Sequence, residues 1–271
     1  MKFKFLYILL LGLILTSCKT EFEKTRTSND PTLILAKADG YYAEEDFYRA
    51  QTLYDIVIPF YRGKSEAETL FFKYAYCNYN QAQYLLANHY FDNYATTFTS
   101  SANIEEASYM TAYSLYRLSP NYKLDQTYTE QSIKAFQKFI NTYPNSERVA
   151  KSNELIDEMR VKLEVKAFEQ GVLYYNIKDY KAAISSLNLM VKDYPETKRI
   201  TEIRWLILDS SRYLAENSVF SKKDERYNET LKLSERFIKK YPDSEHIAEV
   251  NRIKEICIKS LKEIQNVRLE E

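Results

Sequence analysis

A few clusters in this sequence have residue types that chemistry requires. Gly63-Lys64-Ser65 ends like a phosphate-binding loop, in which backbone amides and a lysine cradle phosphate oxygens. That motif needs a glycine where Ile58 stands, and a strand before it where the pattern is helical. His89 and His246 are the only histidines, and no paired cysteines or helix-spaced carboxylates complete a metal set beside either. Glu44-Glu45-Asp46 reads as a solvated turn ending in a helix cap, not as an acid/base pair. No serine stands in a glycine-flanked elbow. Cys77 and Cys257 fall on apolar helix faces, where a small buried thiol is the plain reading. No catalytic residue, metal site or cofactor is assigned, and nothing argues for an enzyme.

Cys18 is different. Lys2 and Lys4 give a short basic start, and Leu6 to Leu15 is an apolar run too short to span a bilayer as a helix. The run ends in Leu15-Thr16-Ser17-Cys18, which fits the lipobox of bacterial lipoproteins: an aliphatic residue, two small ones, then the cysteine whose sulfur takes diacylglycerol. Each buried lipid methylene contributes ~0.8 kcal/mol, so several acyl chains hold a protein durably at a membrane. Residue 19 is Lys rather than an inner-membrane-retaining Asp, which favours the outer membrane. Residues 19 to 31 are polar, with little to bury, and read as a tether.

Composition restricts what lies behind that anchor. Four glycines and six prolines in 271 residues are too few for the turns of a sheet protein, so the chain is expected to be all-helical. Without Lys2 and Lys4, 36 basic side chains face 38 acidic ones, a balance that gives no electrostatic reason to expect nucleic acid. Twenty-five tyrosines beside one tryptophan suggest aromatic wedges between helices, or an exposed aromatic surface.

Self-similarity supplies the architecture. A small residue, then larger ones mostly four and eight positions on, then an aromatic at eleven recur five times. The copies start at Ala50 (Tyr54, Ile58, Tyr61), Ala87 (Phe91, Ala95, Phe98), Ser132 (Phe136, Ile140, Tyr143), Ala183 (Leu187, Val191, Tyr194) and Thr230 (Ser234, Ile238, Tyr241). The last three run into Pro144, Pro195 and Pro242, which stop a helix, and then into Ser146, Thr197 and Ser244, which can cap the next one. Spacings of 37, 45, 51 and 47 residues are stretched versions of the 34-residue tetratricopeptide unit. Insertions at Ser119 to Gln126 and Glu216 to Glu225 account for part of the excess.

The expected fold is therefore an α-solenoid of about five tetratricopeptide-like helix pairs with a C-terminal capping helix. Residues 1–17 are the signal, 18–31 the lipidated tether and 32–271 the solenoid. Repeats fall near 32–62, 65–98, 103–144, 147–195 and 198–242, with the cap at 244–266. In such arrays the first helix of each pair lines a groove. Registering Ala38, Ala75 and Ala112 as the small positions places Leu35, Asp39 and Tyr42 there, then Phe72, Tyr76 and Tyr79, then Tyr109, Tyr113 and Tyr116. A tyrosine hydroxyl is costly to bury without a partner, which favours an exposed stripe over an inter-repeat core.

The lipobox, tether, stretched helix pairs and the blocks Phe139-Ile140-Asn141-Thr142-Tyr143-Pro144-Asn145-Ser146 and Phe237-Ile238-Lys239-Lys240-Tyr241-Pro242-Asp243-Ser244 together resemble the BamD (YfiO) family, the lipoproteins of the outer-membrane β-barrel assembly machine. Met190 to Thr197 is a degenerate copy. The resemblance implies a periplasm-facing, lipid-anchored scaffold. Its expected partners are the POTRA domains of BamA, other subunits of the machine and unfolded outer-membrane protein precursors, with no cofactor. The terminal strand of a nascent barrel, with alternating aromatic side chains, would suit the tyrosine stripe. A tetratricopeptide lipoprotein of another envelope pathway, in division, peptidoglycan work or nutrient uptake, would share the repeat features.

Overall fold

The computed structural model describes residues 20–270, so Cys18 and the proposed signal lie outside the described residues. Twelve α-helices occupy them, with no strand among the described residues. They are α1 Glu21–Arg26, α2 Pro31–Ala43, α3 Phe47–Tyr61, α4 Ala67–Asn80, α5 Tyr84–Thr97, α6 Ile104–Leu118, α7 Thr127–Thr142, α8 Val149–Asn176, α9 Tyr180–Asp193, α10 Ile200–Glu216, α11 Phe220–Lys240 and α12 Ile247–Glu270. This is the all-α class expected from the composition, in the helix pairs expected from the repeats. The chain forms two compact units. One runs through Pro120 and resumes at Asp125–Ile156; the other comprises Asn121–Leu124 and the residues from Asp157 onward.

In the first unit α2/α3, α4/α5 and α6/α7 form three pairs. Ala38, Ala50, Ala75, Ala87, Ala112 and Ser132 are fully buried, and Ser132 Oγ donates to the carbonyl of Ala112 at 3.1 Å. The residues four beyond each anchor, Tyr54, Phe91 and Phe136, are also fully buried. The next core position is seven beyond the anchor, not eight. Val57, Tyr94 and Phe139 are buried, as are Met190 and Phe237 in the second unit, whereas Ile58, Ala95, Ile140, Val191 and Ile238 are half-buried. A helix advances ~100° per residue, so the seventh position returns to within ~20° of the anchor while the eighth sits ~80° away.

Three turns between paired helices use a left-handed residue that is not glycine. Glu45, Ala82 and Lys178 have φ of 59°, 58° and 65°. Their amides donate to Tyr42, Tyr79 and Tyr175, and the next amides to Tyr41, Asn78 and Tyr174, the Schellman arrangement that satisfies the last carbonyls of a helix. The polar opener follows. Asp46 and Asp179 accept from the amides of Arg49 and Ala182 at 3.1 Å, capping α3 and α9.

The segment read as a tether is partly folded. Thr20 caps α1 by accepting from the Glu23 amide, Thr25 is buried, and Phe22 meets the Tyr41 ring edge-on at 5.8 Å. Thr20-Glu21-Phe22-Glu23 is a capping-box sequence, a local signal that composition alone conceals.

In the second unit the C-terminal part of α8 meets α9 through Gly171, and α10/α11 form a further pair closed by α12. Ser211 Oγ and Thr230 Oγ1 lie 2.7 Å apart at the α10/α11 crossing. The two insertions differ in kind. Residues 119–126 form a loop, whereas most of the second is taken up as extra N-terminal turns of α11.

One bond recurs seven residues before the crossing position of the first helix. Glu68, Glu105 and Glu164 accept from Ser101, Ser146 and Thr197 at 2.6, 2.5 and 2.6 Å. Each of those hydroxyls also accepts from the amide two residues on, at Asn103, Arg148 and Arg199. Ser146 and Thr197 of the Tyr-Pro blocks, and Ser101 three residues after Phe98, thus each close their own helix pair while capping the next segment.

Candidate functional site

The aromatic residues singled out in the sequence lie in the first unit, and the structure sorts them into three groups. On α6, Tyr109, Tyr113 and Tyr116 stack along one face, with centroids 5.7 and 5.6 Å apart and planes inclined by 14° and 22°. Spacings of four and three residues place rings one above another on a helix. Tyr79 of α4 joins them through Tyr113 at 6.1 Å. Arg117 donates to the Tyr79 hydroxyl at 3.0 Å and lies 4.5 Å from the centre of the Tyr84 ring.

A second group is Phe72 and Tyr76 on α4, 5.1 Å apart and edge to face. Both rings pack on Phe91, and the Tyr76 hydroxyl donates to Glu106, which is also paired with Arg148. These side chains, with Ala102, Asn103 and Glu105, surround an open basin of about 550 Å³. Arg148 also covers the Tyr109 ring at 4.5 Å, linking the basin to the ladder.

Tyr42 stands apart from both. It packs on Phe47 and Tyr54 in the core of the first pair, and Lys73 lies 5.6 Å from its ring centre. Asp39 is engaged by Tyr54 Oη and Lys73 Nζ, each at 2.7 Å, and Leu35 packs against the same core. Tyr109 is 8% exposed and belongs to the core, where it touches Phe136 and Phe139. Tyr76, Tyr79, Tyr113 and Tyr116 remain half-buried.

Carboxylates serve the hydroxyls of two buried tyrosines and two half-buried ones: Tyr54 donates to Asp39, Tyr74 to Asp55 at 2.5 Å, Tyr76 to Glu106 and Tyr175 to Asp209 at 2.6 Å. Burial and the neighbouring carboxylate push each of these phenols well above the ordinary tyrosine range. Their acidic partners lie 15 to 34 residues away in sequence, so no local pattern announces them.

The other candidates have structural partners. Gly63 (φ 78°) forms the turn after α3, with Lys64 over the Tyr61 ring and Ser65 donating to Glu66. His89 is bonded to Asn93, and His246 stacks on Trp205 at 4.6 Å. Cys77 and Cys257 are buried free thiols, raised by desolvation to about 12 and about 11. No helix among the described residues is long and apolar enough to cross a membrane.

Antiparallel helix pairs with small crossing residues, and one unit carrying an aromatic ledge, define a helical-repeat protein of the tetratricopeptide class. The chain belongs to the YfiO family of outer membrane lipoproteins, whose sequence model matches residues 27–224. It is 24% identical over 212 residues to the outer membrane protein assembly factor BamD of Rickettsia prowazekii, covering 75% of this chain and 81% of that protein. A segment of 64 residues is 34% identical to BamD of Helicobacter pylori, spanning 24% of this chain and 29% of that protein's length. Among solved structures, a TPR repeats protein from Bacteroides fragilis aligns over 86% of this chain and all of its own, with 11% identity and a TM-score of 0.37. A TPR protein from Thermus thermophilus aligns over 84% and 99%, with 13% identity and a TM-score of 0.31.

Proposed function

We propose that this protein is a non-catalytic, lipid-anchored scaffold of the outer-membrane β-barrel assembly machine. In this reading Cys18 carries the lipid, the chain faces the periplasm, and it binds the POTRA domains of BamA and incoming barrel precursors. The observation that carries the precursor half is the ledge of Tyr79, Tyr113 and Tyr116 beside the Phe72–Tyr76 basin. Half-buried stacked rings give a large contact area at little cost in side-chain entropy, and they suit an extended segment with aromatic side chains at alternate positions. Family membership supports the outer-membrane assembly role. Co-purification from detergent-solubilised membranes tests it. BamA in the eluate is the expected result; a porin-like transporter or a division protein in its place would assign the chain to another envelope pathway.

A further inference from the structure

The hydroxyl–glutamate latch that closes the second, third and fourth helix pairs is missing from the fifth. Seven residues before the crossing residue Ser211, the position held by Glu68, Glu105 and Glu164 is Arg204. Ser244 occupies the place of Ser146 and still accepts from the amide two residues on, at His246, but among the described residues no glutamate bonds to it. An arginine here is therefore not something the repeat's packing requires.

Arg204 instead borders a groove of about 220 Å³ between α10 and α11, together with Arg236 and Lys240. Its apolar lining is Ile207, Leu233, Phe237 and Tyr241. Among the described residues, none of the three cations has a carboxylate within ion-pair distance; the only side-chain hydrogen bond of Arg204 is a long one, 3.4 Å, to Asn188. The acid on α11 beside Arg236, Glu235, is held by Lys254 of α12 at 3.7 Å. In the third pair the corresponding rim positions are Glu105, Lys138 and Thr142, so the purely cationic rim is particular to the fifth. Arg236 and Lys240 also lie beyond the stretch that matches the family.

We propose that this groove binds an acidic segment of a partner protein, with one aromatic or aliphatic side chain in the apolar cleft and flanking carboxylates on Arg204, Arg236 and Lys240. Charge complementarity supports that occupant, because three cations without a carboxylate partner, Lys240 with its ammonium 5.5 Å from the centre of the Tyr241 ring, border an apolar floor that a free inorganic anion would leave empty. The proposal is independent of the tyrosine ledge in the other unit.

The test titrates the full chain with a fluorescein-labelled model peptide of one phenylalanine between two pairs of glutamates, using anisotropy at low and physiological salt. The lysine counterpart of the peptide is the control. The glutamate peptide is expected to bind, to weaken with salt, and to lose about tenfold or more in affinity on Arg236→Glu with Lys240→Glu, both exposed positions. Arg204→Glu provides a second arm. It restores the latch residue facing Ser244, so it should weaken the peptide while leaving the melting temperature unchanged or higher. Equal affinity of wild type and variants, or no difference between the two peptides, would overturn the proposal. So would binding of phosphatidylglycerol vesicles that depends on the three cations while the peptide does not bind, since the occupant would then be a lipid surface.

Discussion

Gly171 and Leu187 meet so closely that a Cβ on Gly171 would stand 2.3 Å from Leu187 Cδ2. Leu187 is fully buried, so its side chain would have to shift within a packed core. Gly171 lies twelve residues before Ala183, the spacing that separates Ala38 from Ala50 and Ala75 from Ala87, so it is the fourth pair's crossing residue in extreme form.

Gly171→Ala is therefore expected to destabilise the second unit by about 1–3 kcal/mol through overpacking, despite alanine's better helix propensity. Leu187→Ala alone leaves a cavity and should cost about 2–5 kcal/mol. Combining the two should cost less than their sum, because the new methyl fills part of the space the leucine vacates. Urea denaturation of the three variants measures the coupling, and strict additivity would show that the two side chains do not compete for one volume.

The left-handed turn residues should respond in the opposite sense. Glu45, Ala82 and Lys178 are exposed, so their conformation, not their contacts, sets the effect of substitution. A residue with a Cβ costs roughly 1–2 kcal/mol in this region, while glycine loses roughly 0.5–1 kcal/mol more backbone entropy on folding. Ala82→Gly and Lys178→Gly are each expected to stabilise by about 0.5–1 kcal/mol, read as a higher Tm. A lower Tm for both would remove backbone strain as the explanation.

Those turns show what the sequence made legible and what it did not. The order of helix pairs was readable because Ala50, Ala87 and Ala183, with their aromatic neighbours, repeat at helical spacing. The inner edge of the stripe was misplaced by one residue, because Val57 and Ile58, or Phe139 and Ile140, are adjacent and both apolar; only packing shows which faces the partner helix. The positive φ at Ala82 carried no composition signal. The candidate site was half legible. Spacing put Tyr109, Tyr113 and Tyr116 on one face, but not the depth that sends Tyr109 into the core, nor the long-range acids that satisfy other buried hydroxyls.

Those tyrosine–carboxylate pairs predict alkaline sensitivity. Tyr54, Tyr74, Tyr76 and Tyr175 keep their protons in the folded state at pH values where the unfolded chain, near the ordinary value of about 10, releases them. The stability they contribute is full below that pH and falls as pH rises above it, since deprotonation then favours the unfolded chain. Tyrosinate absorbance near 295 nm should rise in two phases, exposed phenols first, with the second coinciding with loss of helical circular dichroism. A single phase completed while helicity is intact would mean the buried phenols titrate without unfolding.

The last prediction separates fold from recognition within one aromatic stack. Tyr109 and Tyr113 are stacked at 5.7 Å, yet they differ in what surrounds them. Tyr109 is in the core against Phe136, Phe139 and the Arg148 guanidinium, so Tyr109→Ala removes a buried ring and should cost about 3–5 kcal/mol. Tyr113 and Tyr116 are half-buried, and truncating either forfeits much less packing. If the ledge binds an extended aromatic segment, Tyr113→Ala and Tyr116→Ala should weaken a barrel C-terminal peptide by about 1–2 kcal/mol each, with little change in melting. Tyr79→Phe supplies a finer probe, since it keeps the ring and deletes only the hydroxyl that accepts from Arg117. It should leave peptide binding near wild type if ring area is what matters, and weaken it if the held Arg117 is part of the contact. Fluorescence titration with the peptide and thermal melts on the same samples give both readouts. Wild-type affinity in Tyr113→Ala and Tyr116→Ala would mean that the ladder serves packing alone and that precursors bind elsewhere.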